Sequence, residues 1–173
     1  MTEEQRRLCG ELLIHPNGLR LISKDDFLQQ FPSAVAHGRL ALRWLDEAFR
    51  EQDAKDLQCA LLVGFNFGFG PEHADILCRL VDANWHHSHE DVVSALEELR
   101  GPKAAEALFR ATQWIPNYLE FDETRALASK AIWALGKLPG EKAETKLAML
   151  AGSEDAFLRN AAVRQIERRS RRE

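Results

Sequence analysis

Ala95-Leu-Glu-Glu-Leu-Arg-Gly-Pro-Lys-Ala104 and Ala134-Leu-Gly-Lys-Leu-Pro-Gly-Glu-Lys-Ala143 are two copies of one pattern, 39 residues apart. In both, a run with leucines at helical spacing meets a glycine, and a second alanine- and leucine-containing run begins at once. A glycine just past a helix end takes the left-handed conformation that caps the last turn. A proline just after it fits the first turn of the next helix, where its missing N–H is harmless. Two helices joined this tightly pack antiparallel, so the pattern predicts a helical hairpin on each side of the junction.

Working outward, Gly70-Pro-Glu-His-Ala-Asp-Ile-Leu77 starts a third copy 31 residues before Gly101. Each copy carries an apolar residue seven positions after its glycine: Leu77, Leu108 and Leu147. Periods of this length mark stacked supersecondary units. On a helical wheel Leu127, Ala131, Ala134, Leu135 and Leu138 form one apolar stripe, as do Ala104, Leu108, Ala111 and Ile115. Alanines within the stripes let neighbouring helices approach closely.

Thr124-Arg-Ala-Leu-Ala-Ser-Lys-Ala-Ile-Trp-Ala-Leu-Gly-Lys-Leu138 resembles the second helix of a HEAT repeat, with Arg125 at the usual basic position. Asp155-Ala-Phe-Leu-Arg-Asn-Ala-Ala-Val163 is similar, with Asp155 and Arg159 at the family's Asp and Arg positions. The resemblance covers residues 70–169, fades over 37–69 and is absent over 1–36. It implies an all-α fold, a short right-handed α-solenoid of about four antiparallel hairpins in a single domain, residues 1–173. The expected helix pairs are 37–51 with 54–66, 72–86 with 89–99, 103–115 with 124–138, and 141–151 with 154–169. Residues 3–14 and 24–31 are expected to add short helices to an N-terminal cap (1–36), and residues 170–173 form a basic tail.

The 173 residues carry 45% hydrophobic and 29% charged side chains, an ordinary balance for a soluble globular chain. No stretch approaches the ~18–20 uninterrupted apolar residues of a membrane helix, and the expected location is cytoplasmic. Cys9, Cys59 and Cys78 are odd in number and widely spaced, which points to buried free thiols. The net charge of −4 is uneven: residues 1–100 carry −7, and residues 101–173 carry +3. The middle of the chain, 82–123, is the most acidic stretch, and Arg164–Arg172 the most basic. An acidic protein is poorly suited to neutralising phosphates, so neither nucleic acid nor membrane is expected as a partner; a basic protein is.

Catalytic chemistry finds little footing. There is no Gly-x-Ser-x-Gly, P-loop or HExxH, and no cofactor motif. Trp85-His-His-Ser-His-Glu-Asp91 gathers His86, His87 and His89 beside two carboxylates, which could hold zinc. The same stretch reads equally as an interhelical turn with Ser88 or His89 as N-cap and Glu90 and Asp91 in the first helical turn. That reading is preferred, leaving a metal-dependent hydrolase as a minor alternative. The phenylalanines of Gly64-Phe-Asn-Phe-Gly-Phe-Gly70 are expected to pack beneath a turn.

Trp114 and Trp133 lie off the stripes of their helices. Between them runs Ile115-Pro-Asn-Tyr-Leu-Glu-Phe-Asp-Glu123, with Tyr118, Phe121, Glu120, Asp122 and Glu123. Aromatic side chains among carboxylates are the composition of a hot-spot cluster for a basic partner. The candidate binding residues are therefore Trp114, Tyr118, Glu120, Phe121, Asp122, Glu123 and Trp133, with Glu90 and Asp91. Size, charge and repeat class resemble small bacterial immunity proteins that occlude the active site of a toxin domain. A general scaffold or adaptor fits the same sequence, and a HEAT-like nucleic-acid-binding or repair protein is a further alternative that the acidic middle disfavours.

Overall fold

The computed structural model describes residues 1–13 and 21–171, with the side chains of 35–37 left aside. Among the described residues there are ten α-helices, three short 3₁₀ turns and no strand. No helix among them is long and apolar enough to cross a membrane. Contacts divide the chain into two compact units, Met1–Ile76 and Leu77–Glu173.

The first unit begins with α1 (Glu3–Glu11), started by a capping box in which Thr2 and Gln5 exchange side-chain-to-backbone hydrogen bonds. Ser23 caps α2 (Lys24–Gln30) through the Asp26 N–H, 3.0 Å away. A packed pair follows, α3 (Val35–Glu51) and α4 (Ala54–Phe67), matching the expected 37–51 and 54–66 closely. Asp53 caps α4, its carboxylate accepting from the N–H groups of Lys55 and Asp56. Phe27, Leu40, Trp44, Leu45, Leu57 and Leu61 fill the core.

The Gly64–Gly70 run only partly follows expectation: Phe65 and Phe67 belong to the last turn of α4, and Phe65 is exposed. Phe67 stacks on Phe27, and Phe69 meets Phe65 edge-to-face. Phe69 lies so close over Gly64 that a Cβ there would stand 2.1 Å from its ring. Gly38 turns α3 at φ +67°, and its carbonyl accepts from the buried His73 Nε2 at 3.1 Å.

The division between the units falls inside α5 (Ala74–Leu80), which follows a 3₁₀ turn at Pro71–His73. The second unit continues with α6 (His89–Leu99), α7 (Ala104–Ala111), α8 (Ala126–Lys137), α9 (Glu141–Ala151) and α10 (Ala156–Ser170). α7 packs on α8 and α9 on α10, the two hairpins anticipated there. Contacts also join α6 to α8, α8 to α10 and α7 to α9. Leu77, Leu80, Leu96, Leu108, Ile132, Leu135 and Leu147 are fully buried among them.

Three ion pairs cross between these neighbours, Glu90–Lys130 at 3.7 Å, Glu97–Lys137, and Glu106–Lys146 at 2.7 Å. Arg125, just before α8, pairs with Asp155, the residue that caps α10. Two of the three positions singled out in the sequence, Arg125 and Asp155, thus meet.

Two expected helices are shorter than their sequence suggests. The one expected over 72–86 stops at Leu80, because the Leu80 carbonyl is taken by the His86 ring at 2.9 Å. The one expected over 103–115 stops at Ala111, where the Thr112 hydroxyl donates to the Phe109 carbonyl at 2.7 Å. The left-handed cap after α6 also sits one residue early, on Arg100 (φ +48°) and not on Gly101, and α8 has no left-handed cap: Gly140 has a positive φ (+89°) but an extended ψ of 164°, and it stands as the N-cap of α9.

Candidate protein-binding loop

The turn between α5 and α6 is built on two buried histidines. The Ser88 N–H donates to His86 Nδ1 at 3.1 Å, so the proton lies on Nε2, which donates to the Leu80 carbonyl. His89 Nε2 donates to the Ala83 carbonyl at 2.8 Å, leaving Nδ1 as an acceptor. The two rings stack with centroids 4.1 Å apart. Burial first, then the neighbouring imidazole of His89, pushes His86 down to about 4, and burial lowers His89 as well. Ser88 occupies the N-cap position, but its hydroxyl makes no cap bond; Glu90 and Asp91 stand in the first turn as anticipated.

This arrangement bears on the metal alternative. Both nitrogens of His86 and Nε2 of His89 hold the turn together, His89 Nδ1 is engaged by Tyr118, and His87 lies on the exposed side. Among the described residues no group of three or more His, Cys, Asp or Glu side chains is arranged to hold a metal ion.

The loop between α7 and α8 docks on the same turn. The Tyr118 hydroxyl donates to His89 Nδ1 at 3.0 Å, and its ring stacks on His87 with centroids 4.4 Å apart. Burial, chiefly, raises the Tyr118 hydroxyl above its ordinary range. Trp114 meets the His89 ring edge-to-face at 5.3 Å and lies half-buried beneath the loop, its indole nitrogen enclosed without a hydrogen-bond partner among the described residues. The histidine turn and the aromatic loop, read separately in the sequence, form one cluster.

At its far end the loop is tied to α8. One carboxylate oxygen of Asp122 accepts from the Thr124 N–H (3.0 Å) and hydroxyl, and the other from the Ala126 N–H at 2.7 Å. The hydroxyl of Thr124 foremost, with these amides, holds the Asp122 carboxyl below the usual range. Asp122 is thereby committed to the start of the helix.

Between these two anchors, Phe121 is 93% exposed, with Ile115 and Tyr118 also open to solvent. Glu120 and Glu123 flank it, exposed and without a cationic partner among the described residues. Asp91 is exposed on α6, whereas Glu90 faces Lys130.

Trp133 lies elsewhere on α8. Its ring is 37% exposed, with the Arg168 guanidinium 4.1 Å and the Lys137 ammonium 5.2 Å from its centroid. A shallow groove lined by Glu97, Thr124, Ser129 and Lys130 reaches from the loop's end to the indole. Sequence reasoning missed the two cations around Trp133, the exposure of Ile115, and the seat that His87 and His89 provide for Tyr118. Compared with known protein families and with characterised proteins, the chain matches none.

Proposed function

We propose that this chain is a protein-binding module that presents the loop before α8 to a basic protein domain, in the manner of an immunity protein occluding a toxin. The carrying observation is Phe121, 93% exposed at the tip of a loop anchored on both sides. An exposed phenylalanine in water offers nothing to the isolated fold, while a pre-ordered aromatic tip loses little entropy when it inserts into a partner. Glu120 and Glu123 supply the charge that would steer a cationic surface toward it. Trp114 acts from beneath as support, and Asp122 by fixing the loop to α8. Trp133, already flanked by Lys137 and Arg168, suits a basic partner poorly, so the reading rests on the loop.

The scaffold we propose for this loop is a short HEAT-like solenoid over Leu77–Glu173. The contacts of α6 with α8, α8 with α10 and α7 with α9 support it, because α6, α7 and α8 each touch their counterpart in the next hairpin. The Arg125–Asp155 pair between hairpins supports it further. The reading assigns the chain no catalytic step and places its action in the cytoplasm.

The test compares the wild-type chain with Phe121→Ala and with Glu120→Lys/Glu123→Lys as baits in nuclease-treated lysate of the source organism. A stoichiometric basic polypeptide, released by salt and lost from both variants, is the expected result. Reconstituted with that polypeptide, Phe121→Ala should weaken binding by about thirtyfold or more, the signature of a hot spot. Identical captures by all three baits, or recovery of nucleic acid alone, would overturn the proposal.

A further inference from the structure

α1 and α4 lie against each other with a register set by charge. Arg6 Nε donates to Asp56 at 2.5 Å, a separation of 50 in sequence, and Arg6 Nη2 reaches Asp53 at 3.3 Å. One helical turn further along both helices, the same separation brings Cys9 opposite Cys59. The two thiols act on each other, Cys9 lowering the Cys59 thiol and Cys59 raising that of Cys9. Cys9 is fully buried, and Cys59 is half-buried and reachable from solvent. Cys78 lies on α5, its thiol donating to the Lys103 carbonyl at 3.7 Å.

We propose that Cys9 and Cys59 form a redox-active pair, oxidised by a low-molecular-weight disulfide such as oxidised glutathione to an intramolecular disulfide that ties α1 to α4. The chemistry divides between the two residues according to their surroundings. Cys9 favours the Cys59 thiolate, and Cys59 is the one an oxidant can reach. Having lost its proton to solvent, Cys59 attacks one sulfur of the oxidant. The oxidant's S–S bond breaks, one glutathione thiolate leaves, and a mixed disulfide remains on Cys59. The Cys9 thiol then gives up its proton, attacks Cys59 Sγ and expels the second glutathione thiolate. Two electrons have passed from the protein thiols to the oxidant, and two protons end on the two released glutathione thiols. Cys59 and burial disfavour the Cys9 thiolate, so the second step is the slow one.

Closure requires the sulfurs to move to a bond of roughly 2.05 Å. Side-chain rotation on two adjoining helices would have to supply that movement. The bond would close a loop of about fifty residues and restrict the unfolded chain accordingly.

The reduced chain is incubated with oxidised glutathione, and its free thiols are counted by alkylation and mapped by peptide mass spectrometry. The expected product has one free thiol, on Cys78, and a crosslinked peptide joining Cys9 to Cys59. It should melt about 5–10 °C above the reduced form, a gain that dithiothreitol removes. Cys78→Ser should give the same crosslink, and Cys9→Ser should stop at the glutathione adduct on Cys59. A wild-type chain that stays at three free thiols would overturn the proposal. A wild-type chain that holds a lasting glutathione adduct on Cys59, or crosslinks only through Cys78, would do so equally. Because the deciding map is made on the wild-type chain, the outcome does not depend on whether the variants fold.

Discussion

Replacing Tyr118 by phenylalanine removes one oxygen and nothing else. The ring can keep its stack on His87, while His89 Nδ1 loses the hydroxyl that donates to it at 3.0 Å. His89 is 0% exposed, so the orphaned acceptor has poor access to water. A neutral hydrogen bond contributes about 1 kcal/mol net, and an unsatisfied buried acceptor costs about 1–3 kcal/mol. Tyr118 itself is 36% exposed, which lets some relaxation occur and places the expected loss near ~1–2 kcal/mol. In a chain of this size that is a fall in melting temperature of roughly 2–8 °C. Urea unfolding of the two proteins gives the free-energy difference directly. Amide hydrogen exchange across 115–123 reports whether the loop has loosened. Phe121→Ala is the companion variant: with its ring 93% exposed, it should leave both readouts within about 0.5 kcal/mol of wild type. Should Tyr118→Phe match wild type in stability and exchange, the hydroxyl does not hold the loop, and the argument for a pre-ordered tip fails.

Acid should loosen the same region. His86, pushed down to about 4 by burial, has an ordinary value of 6.5, so between these limits the unfolded chain binds more protons than the folded one. Stability is therefore full above pH ~6.5 and falls as pH drops toward ~4, by about 3 kcal/mol from His86 alone. His89 is shifted in the same direction and adds to the loss. Denaturation at a series of pH values checks this; a flat profile from pH 7 to 4.5 would show that the imidazoles do not resist protonation. Gly64→Ala puts a methyl group 2.1 Å from the Phe69 ring, and Phe69 must leave its place. The expected cost is about 1–3 kcal/mol by thermal melting, and a second change, Phe69→Ala, should relieve the clash.

Much of the helical layout is legible because the chain punctuates it locally. Asp53, Gly140 and Asp155 mark helix starts that the structure keeps, and α3, α4, α9 and α10 lie within a few residues of their expected bounds. The errors come from side chains that compete for the last carbonyls of a helix. His86 takes the Leu80 carbonyl and Thr112 that of Phe109, and no helical periodicity records such bonds. The cluster is half legible. Its residue types stand out, but Tyr118 and His89 are 29 residues apart, and composition alone does not join them. The repeat carries a usable clue: the loop entering α8 occupies the place in its hairpin that the histidine turn, entering α6, occupies in the one before. Asp122 carries two readings, because a capping carboxylate and a binding carboxylate are the same residue in sequence; its bonds to Thr124 and Ala126 show the first.

The three ion pairs Glu90–Lys130, Glu97–Lys137 and Glu106–Lys146 share a further property. Each joins residues 40 apart, and in each the acid belongs to the earlier helix and the lysine to the later one. Exposed pairs of this kind contribute little stability individually, but together they give the array a direction. In these three pairs α6 and α7 meet α8 and α9 with carboxylates, and α8 and α9 answer with ammonium groups, whereas Arg125–Asp155 has the opposite order. A chain shuffled so that α9 and α10 came before α7 and α8 would break that order, leaving Glu106 and Lys146 on faces with no complement. Within Leu77–Glu173 these three pairs thus distinguish the partner that precedes from the one that follows for α6 with α8 and for α7 with α9.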